Sequence, residues 1–156
     1  SINFWLNRVN SVLIGNEITQ KEIEYIVNNS IKPICLHVYG HNQIMYSRRT
    51  LLTNWSKEFA IPYKEKNTIQ DKATKIKFRV FENKYGTVMY SNTIYNGKKL
   101  FQLNQAKIKY FYVNPTLVDH KQVIEFLHSK ESALKSNEDN GFLEKETIYK
   151  LKERKK

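Results

Sequence analysis

A mixed α/β domain is predicted for this chain, on three observations. Two strand-then-helix units can be read from the hydrophobic periodicity, and each helix opens on a capping-box spacing. Between them, Asn83-Lys84-Tyr85-Gly86 turns one extended segment back on another, which predicts an inserted β-hairpin.

With 156 residues and 40% hydrophobic content the chain can build one domain with a real core. The predicted division is a domain over residues 1–135 and a polar linker with a basic C-terminal tail over 136–156. The sequence starts at Ser1-Ile2-Asn3 without Met, as a piece cut from a longer protein would. A net charge of +11 and a pI near 9.6 favour a polyanionic partner, nucleic acid first and an anionic membrane surface second; a basic surface without a partner fits the composition as well. The single cysteine, Cys35, excludes an internal disulfide framework and a cysteine-rich metal site, so the expected location is cytoplasmic. No apolar run approaches the ~20 residues of a membrane span.

The elements follow in order. Ser1 to Glu17 reads as a lead-in and a short strand over Val9 to Ile14, closed by Gly15-Asn16, so that Glu17 stands at a strand end. Thr19 and Glu22 have capping-box spacing, flanked by Ile18 and Ile23 as a hydrophobic staple; Ile23, Ile26 and Val27 give the helix its buried stripe. A second strand from Ile34 alternates aliphatic Ile34, Leu36 and Val38 with Cys35, His37 and Tyr39, and is expected to end at Gly40, with extended structure resuming briefly over Ile44 to Tyr46. Leu51, Leu52, Trp55 and Phe59 predict an amphipathic helix over Arg48 to Phe59. The polar stretch Tyr63 to Lys75 is expected to be a surface loop. Ile76, Phe78 and Val80 then start a hairpin at a sheet edge, returning over Thr87 to Tyr90. A short helix around Leu100 to Leu103, a strand over Tyr110 to Val113 and a helix with an Asp119/Gln122 capping box complete the pattern. The core face of that helix is expected to be Val123, Ile124, Phe126 and Leu127.

Several side chains carry possible chemistry. Cys35, His37 and His41 are close in sequence, but a fourth ligand at a zinc spacing is missing and no orienting third residue accompanies a Cys35/His37 nucleophile pair. Tyr46-Ser47-Arg48-Arg49 is a better candidate, because two guanidinium groups at a helix entrance can bind a carboxylate or phosphate. Solvated arginines beside a Ser47 N-cap explain the same residues structurally. Lys and Arg interleaved with Tyr and Phe across Tyr85 to Tyr112 could stack on nucleobases, or could be a solvated hairpin with its rings in the core.

Arg8-Val9, Val12-Leu13, Glu17-Ile18 with the helix to Ile26, Val38-Tyr39-Gly40 and Met45-Tyr46-Ser47-Arg48-Arg49-Thr50-Leu51-Leu52 together resemble the collagenase-like peptidase family U thirty-two. Tyr85-Gly86-Thr87, Gly141-Phe142-Leu143 and Lys145-Glu146-Thr147 are similar to its Gram-positive branch. The resemblance implies the C-terminal part of a TIM-like β/α barrel with the hairpin inserted. It also implies oxygen-independent hydroxylation, including prephenate-dependent hydroxylation of tRNA wobble uridine. Two positions that hold iron–sulfur cysteines in many relatives fall on Gln43 and Thr50, whose amide and hydroxyl cannot replace thiolates, so no cofactor is expected.

Three functions follow as expectations. The first is a component of tRNA hydroxylation: Arg48 and Arg49, with Tyr46, Ser47 and His41, hold an anionic ligand such as prephenate; Lys75, Lys77 and Arg79 touch tRNA; and Glu17 is the acid/base candidate. The second is the collagenase-like peptide hydrolysis of the family name. The third is a structural fragment whose site is completed by a missing N-terminal half, a homologous subunit or self-association.

Overall fold

The computed structural model describes residues 2–64, 66–129 and 133–146. Helices α1 (Ile2–Leu6), α2 (Gln20–Asn29), α3 (Leu51–Glu58) and α4 (His120–His128) accompany strands β1 (Leu13–Ile14), β2 (Ile34–Ser47), β3 (Lys66–Gln70), β4 (Lys77–Asn83), β5 (Gly86–Asn96), β6 (Ile108–Val113) and β7 (Glu138–Asp139). The strands form one seven-stranded sheet in the order β1-β2-β5-β4-β3, with β6 added beside β2 and β7 beside β5. The fold is therefore mixed α/β, but the sheet is open and mostly antiparallel. It does not close into a barrel among the described residues.

Two sheet regions meet on β2. Its first half is flanked by β1 and β6, both parallel to it; its second half pairs antiparallel with β5, which continues into β4 and β3. Ile14, Leu36 and Phe111 stand in register on one face of the parallel part, and with Ile34 and Val38 they pack against Ile23 and Val27 of α2 and Phe126 of α4. Each such buried side chain contributes roughly 1.5–3 kcal/mol. Leu6 of α1 is fully buried in the same core.

The Thr19–Glu22 capping box forms as expected: Glu22 N–H donates to Thr19 Oγ1 at 3.3 Å and Thr19 N–H to Glu22 Oε2 at 2.8 Å. At α4 the expected box does not form, because the Asp119 carboxylate reaches Lys121 N–H at 2.7 Å instead. Only Val123 and Phe126 of α4 face the core; Ile124 and Leu127 are exposed, since a short helix on one sheet face buries a narrow i, i+3 stripe.

Other boundaries move for physical reasons. The first strand shrinks to two residues because Arg8 and Val9 N–H are tied back to the Trp5 carbonyl. Glu17 accordingly lies in a bend beyond β1 and not at a strand end. Gly40 does not end β2. At φ +122 it lets the Asn114 backbone approach, where a Cβ would collide with the Asn114 carbonyl, and the strand runs on to Ser47. Part of the expected loop is β3, an edge strand paired with β4, so the edge hairpin becomes a three-stranded meander with β5 inside. The predicted short helix is a 3₁₀ segment, Lys98–Gln102.

Residues 136–146 pack on the body of the domain. Glu138 and Asp139 pair with Ile94 and Tyr95, and Leu143 enters the core. Thr147 and the basic end Glu153-Arg154-Lys155-Lys156 lie outside the described residues. No helix among the described residues is long and apolar enough to cross a membrane.

Candidate nucleic-acid interface

The Tyr46-Ser47-Arg48-Arg49 quartet ends β2 and enters α3. Ser47 stands opposite Thr87, and Gly86, at φ +132, fits against the Ser47 carbonyl where a Cβ would clash. The Tyr46 hydroxyl donates to the Tyr85 carbonyl at 2.9 Å, tying the strand end to the hairpin turn. Ser47 Oγ accepts from Arg49 N–H at 3.1 Å and so stiffens the bend before α3 rather than capping it; Thr50 occupies the N-cap without a side-chain bond.

The cap of α3 comes from Glu82, which is 3% exposed. Its carboxylate accepts Leu52 N–H at 2.7 Å, Thr53 N–H at 3.1 Å and the Thr53 hydroxyl. Thr87 Oγ1 accepts Leu51 N–H at 3.0 Å and lies 2.8 Å from the Arg49 carbonyl and 2.9 Å from Glu82 Oε2, to one of which its single proton goes. Burial pushes the Glu82 carboxyl upward, but donors from Thr53, Thr87 and the Leu52 and Thr53 amides outweigh it and hold the group below its ordinary range. The N–H groups expected to greet an external anion are therefore spoken for. What remains for a ligand is the guanidinium pair, Arg48 and Arg49, both exposed.

The other expected residues are distributed unevenly. Lys77 and Arg79 lie exposed on β4, and Lys75 in the turn before it at φ +61. Gln43 stands opposite Tyr90 on β2. His41 is buried, 5% exposed, with Nδ1 2.9 Å from the Ser91 carbonyl, which ties β2 to β5; burial pushes its pKa down. Glu17 is exposed, and no hydrogen bond or ion pair joins it to the quartet. Its neighbour Asn16 is the residue that reaches inward, to His37 Nδ1 at 3.2 Å and Asn42 Oδ1 at 2.6 Å.

Cys35 Sγ sits 3.1 Å from Ser11 Oγ, while His37 is committed to Asn16 and the Tyr39 carbonyl, so the two do not form a nucleophile–base pair. Among the described residues no three His, Cys, Asp or Glu side chains gather as a metal site. A cavity of about 410 Å³ lies beside α4. Glu138 there accepts from the Tyr39 hydroxyl and Asn96, and Lys98 Nζ is bonded to the Phe126 carbonyl between two phenyl rings.

Sequence reasoning missed Glu82 and Thr87. A signal existed: Phe78, Val80 and Glu82 share one alternating face, so an acid at an inward position called for donors.

Among the described residues, one face of the parallel part is only partly covered. Leu13, Cys35 and Tyr110 stand in one row and His37 and Tyr112 in the next, with Leu13 50% and Tyr110 63% exposed. Searches of protein-family models, of curated proteins and of solved structures each returned no match to this chain.

Proposed function

We propose that this chain is a tRNA-binding component of a cytoplasmic tRNA-modifying system, of the prephenate-dependent wobble-uridine hydroxylation type. The observation that supports this reading is an excess of uncommitted cations. Arg48, Arg49, Lys77 and Arg79 are exposed, and the only side-chain ion pairs among the described residues, Lys99–Glu144 and Lys135–Glu125, use none of them. Exposed cations gain affinity by releasing counterions from phosphates. Arg48 and Arg49 hold a phosphate or a small carboxylate such as prephenate through their side chains alone, with Tyr46 as a wall.

The open face of β1, β2 and β6 supports a companion reading. Parallel sheets are ordinarily covered on both faces. Leu13, Tyr110 and Tyr112 would be covered by further β/α units of a barrel, supplied by another segment or a homologous subunit. Catalysis belongs to that completed assembly, with Glu17 at its rim as the acid/base candidate.

The test is tRNA and prephenate binding by Arg48→Ala combined with Arg49→Ala. Weakened binding of either ligand is expected, and unchanged affinity for both defeats the reading. Nucleoside analysis of tRNA from cells lacking the gene then asks whether hydroxylated wobble uridine disappears.

A further inference from the structure

The strand register sorts the antiparallel side chains between two faces. Glu82 and Thr87 lie on the face that meets α3. Directly paired residues share a face. On the opposite face Thr68, Arg79, Tyr90 and Gln43 form a row across β3, β4, β5 and β2, and Phe81, Val88 and Tyr46 form the next. Phe81 and Tyr90 meet edge to face, with centroids 5.9 Å apart and planes at 79°. Tyr46, half exposed, is steadied by its bond to the Tyr85 carbonyl.

Among the described residues in these rows the formal charge has one sign. Arg79 and Lys77 project from β4, and none of the positions in these rows is a carboxylate. Two acids on the same strands and turns are occupied elsewhere: Glu82 caps α3 on the other face, and Asp71 accepts Ala73 and Thr74 N–H within its own turn. At one side a groove of about 420 Å³ opens between Lys64, Arg79, Phe81 and Leu117. Leu117 is held at φ +67, a conformation in which a bulky side chain is uncommon and which marks a constrained loop wall.

We propose that this sheet face is a stacking platform for an unpaired stretch of RNA, with Tyr46 and Tyr90 taking bases and Arg79, Lys77 and Lys64 following the backbone. The proposal rests on the RNA reading above and specifies where and in what form RNA is held. Aromatic rings fixed on a sheet stack bases of any sequence, because every base has a π-face; surrounding cations track the phosphates. A duplex hides its base faces in its own stack, so the platform favours unpaired over paired RNA. With no carboxylate among the described positions of these rows, the face is complementary to a polyanion.

The test uses the 156-residue chain with single-stranded RNA containing 2-aminopurine, and with the same strand annealed to its complement. Quenching of 2-aminopurine on binding and tighter binding of the single strand are expected. Tyr46→Leu with Tyr90→Leu weakens single-strand binding by roughly ten-fold or more and removes the quenching, while leaving the salt dependence in place. Lys77→Gln with Arg79→Gln reduces the salt dependence and keeps the quenching. Tyr46→Leu alone, at the hairpin tip, carries the test if the double variant melts early, and Tyr25→Leu, exposed on α2, behaves as the parent. Parent-like affinity and quenching in the folded tyrosine variants overturns the platform. If Arg48→Ala with Arg49→Ala still weakens tRNA binding in that case, the platform falls and the RNA reading stands. If the parent binds neither RNA at low salt, both fall.

Discussion

At Glu82 a carboxylate is buried beneath a helix start, where two backbone amides and the Thr53 hydroxyl replace water and the Thr87 hydroxyl, shared with the Arg49 carbonyl, lies in reach. Removing it strands the Leu52 and Thr53 amides, so Glu82→Ala is expected to cost about 2–4 kcal/mol in urea unfolding. The pH dependence has a definite sign. Its folded pKa lies below the ordinary 4.5, so the stabilisation is complete above that value and is lost as pH falls through the folded pKa. His37 and His41 act in the same direction at higher pH, because burial lowers both below 6.5 and the unfolded chain takes up protons first. Melting temperature should therefore decline from about pH 6.5 downward and more steeply below 4.5; a temperature that holds constant to pH 4 would contradict these assignments. A second contrast is available in two buried tyrosines. Tyr39 donates to Glu138 at 2.9 Å, so Tyr39→Phe should cost about 1–2 kcal/mol, whereas the buried Tyr95 hydroxyl has no partner among the described residues and Tyr95→Phe should leave stability unchanged or raised. The arginine pair was visible in the sequence; the carboxylate that takes over the neighbouring helix end was not, because its partners are set by strand register.

The elements most legible in the sequence are those whose signals are local. Thr19 and Glu22 specify the start of α2 by bonds within one turn, and Thr19→Ala should destabilise by about 1 kcal/mol in a thermal melt. Asn83 and Gly86 likewise fix the hairpin turn, where Asn83 Oδ1 accepts Tyr85 N–H at 2.8 Å. What was lost is whatever depends on a distant backbone. Gly40 reads as a strand terminator until the Asn114 loop is placed against it, with Asn114 N–H donating to the Tyr39 carbonyl at 2.8 Å. β3 reads as loop because its residues apart from Ile69 are polar, and it is its pairing with β4 that makes it a strand. β7, two acidic residues in a polar run, is defined by hydrogen bonds to β5 and to Tyr39.

For the molecule as a whole, the charge, the mixed α/β class and the single cysteine could be read directly, while the joining of a parallel and an antiparallel region on one long strand could not. The barrel implied by resemblance requires more strands than the described chain supplies. The sheet face that the described residues leave exposed, with Leu13, Tyr110 and Tyr112 outward, predicts concentration-dependent association in sedimentation velocity that Leu13→Ser with Tyr110→Ser reduces; a monomer at every concentration would remove self-association from the reading. The central claim, that the basic surface exists to hold RNA, is tested by tRNA affinity measured across a salt series on the parent and on Arg48→Ala with Arg49→Ala. Log affinity should fall linearly with log salt, and the double variant should shift the line down and flatten it by up to about 1.8 in slope, on the order of 0.9 for each phosphate no longer neutralised. Absence of binding at about 50 mM salt, or parallel lines of equal affinity for parent and variant, would contradict it.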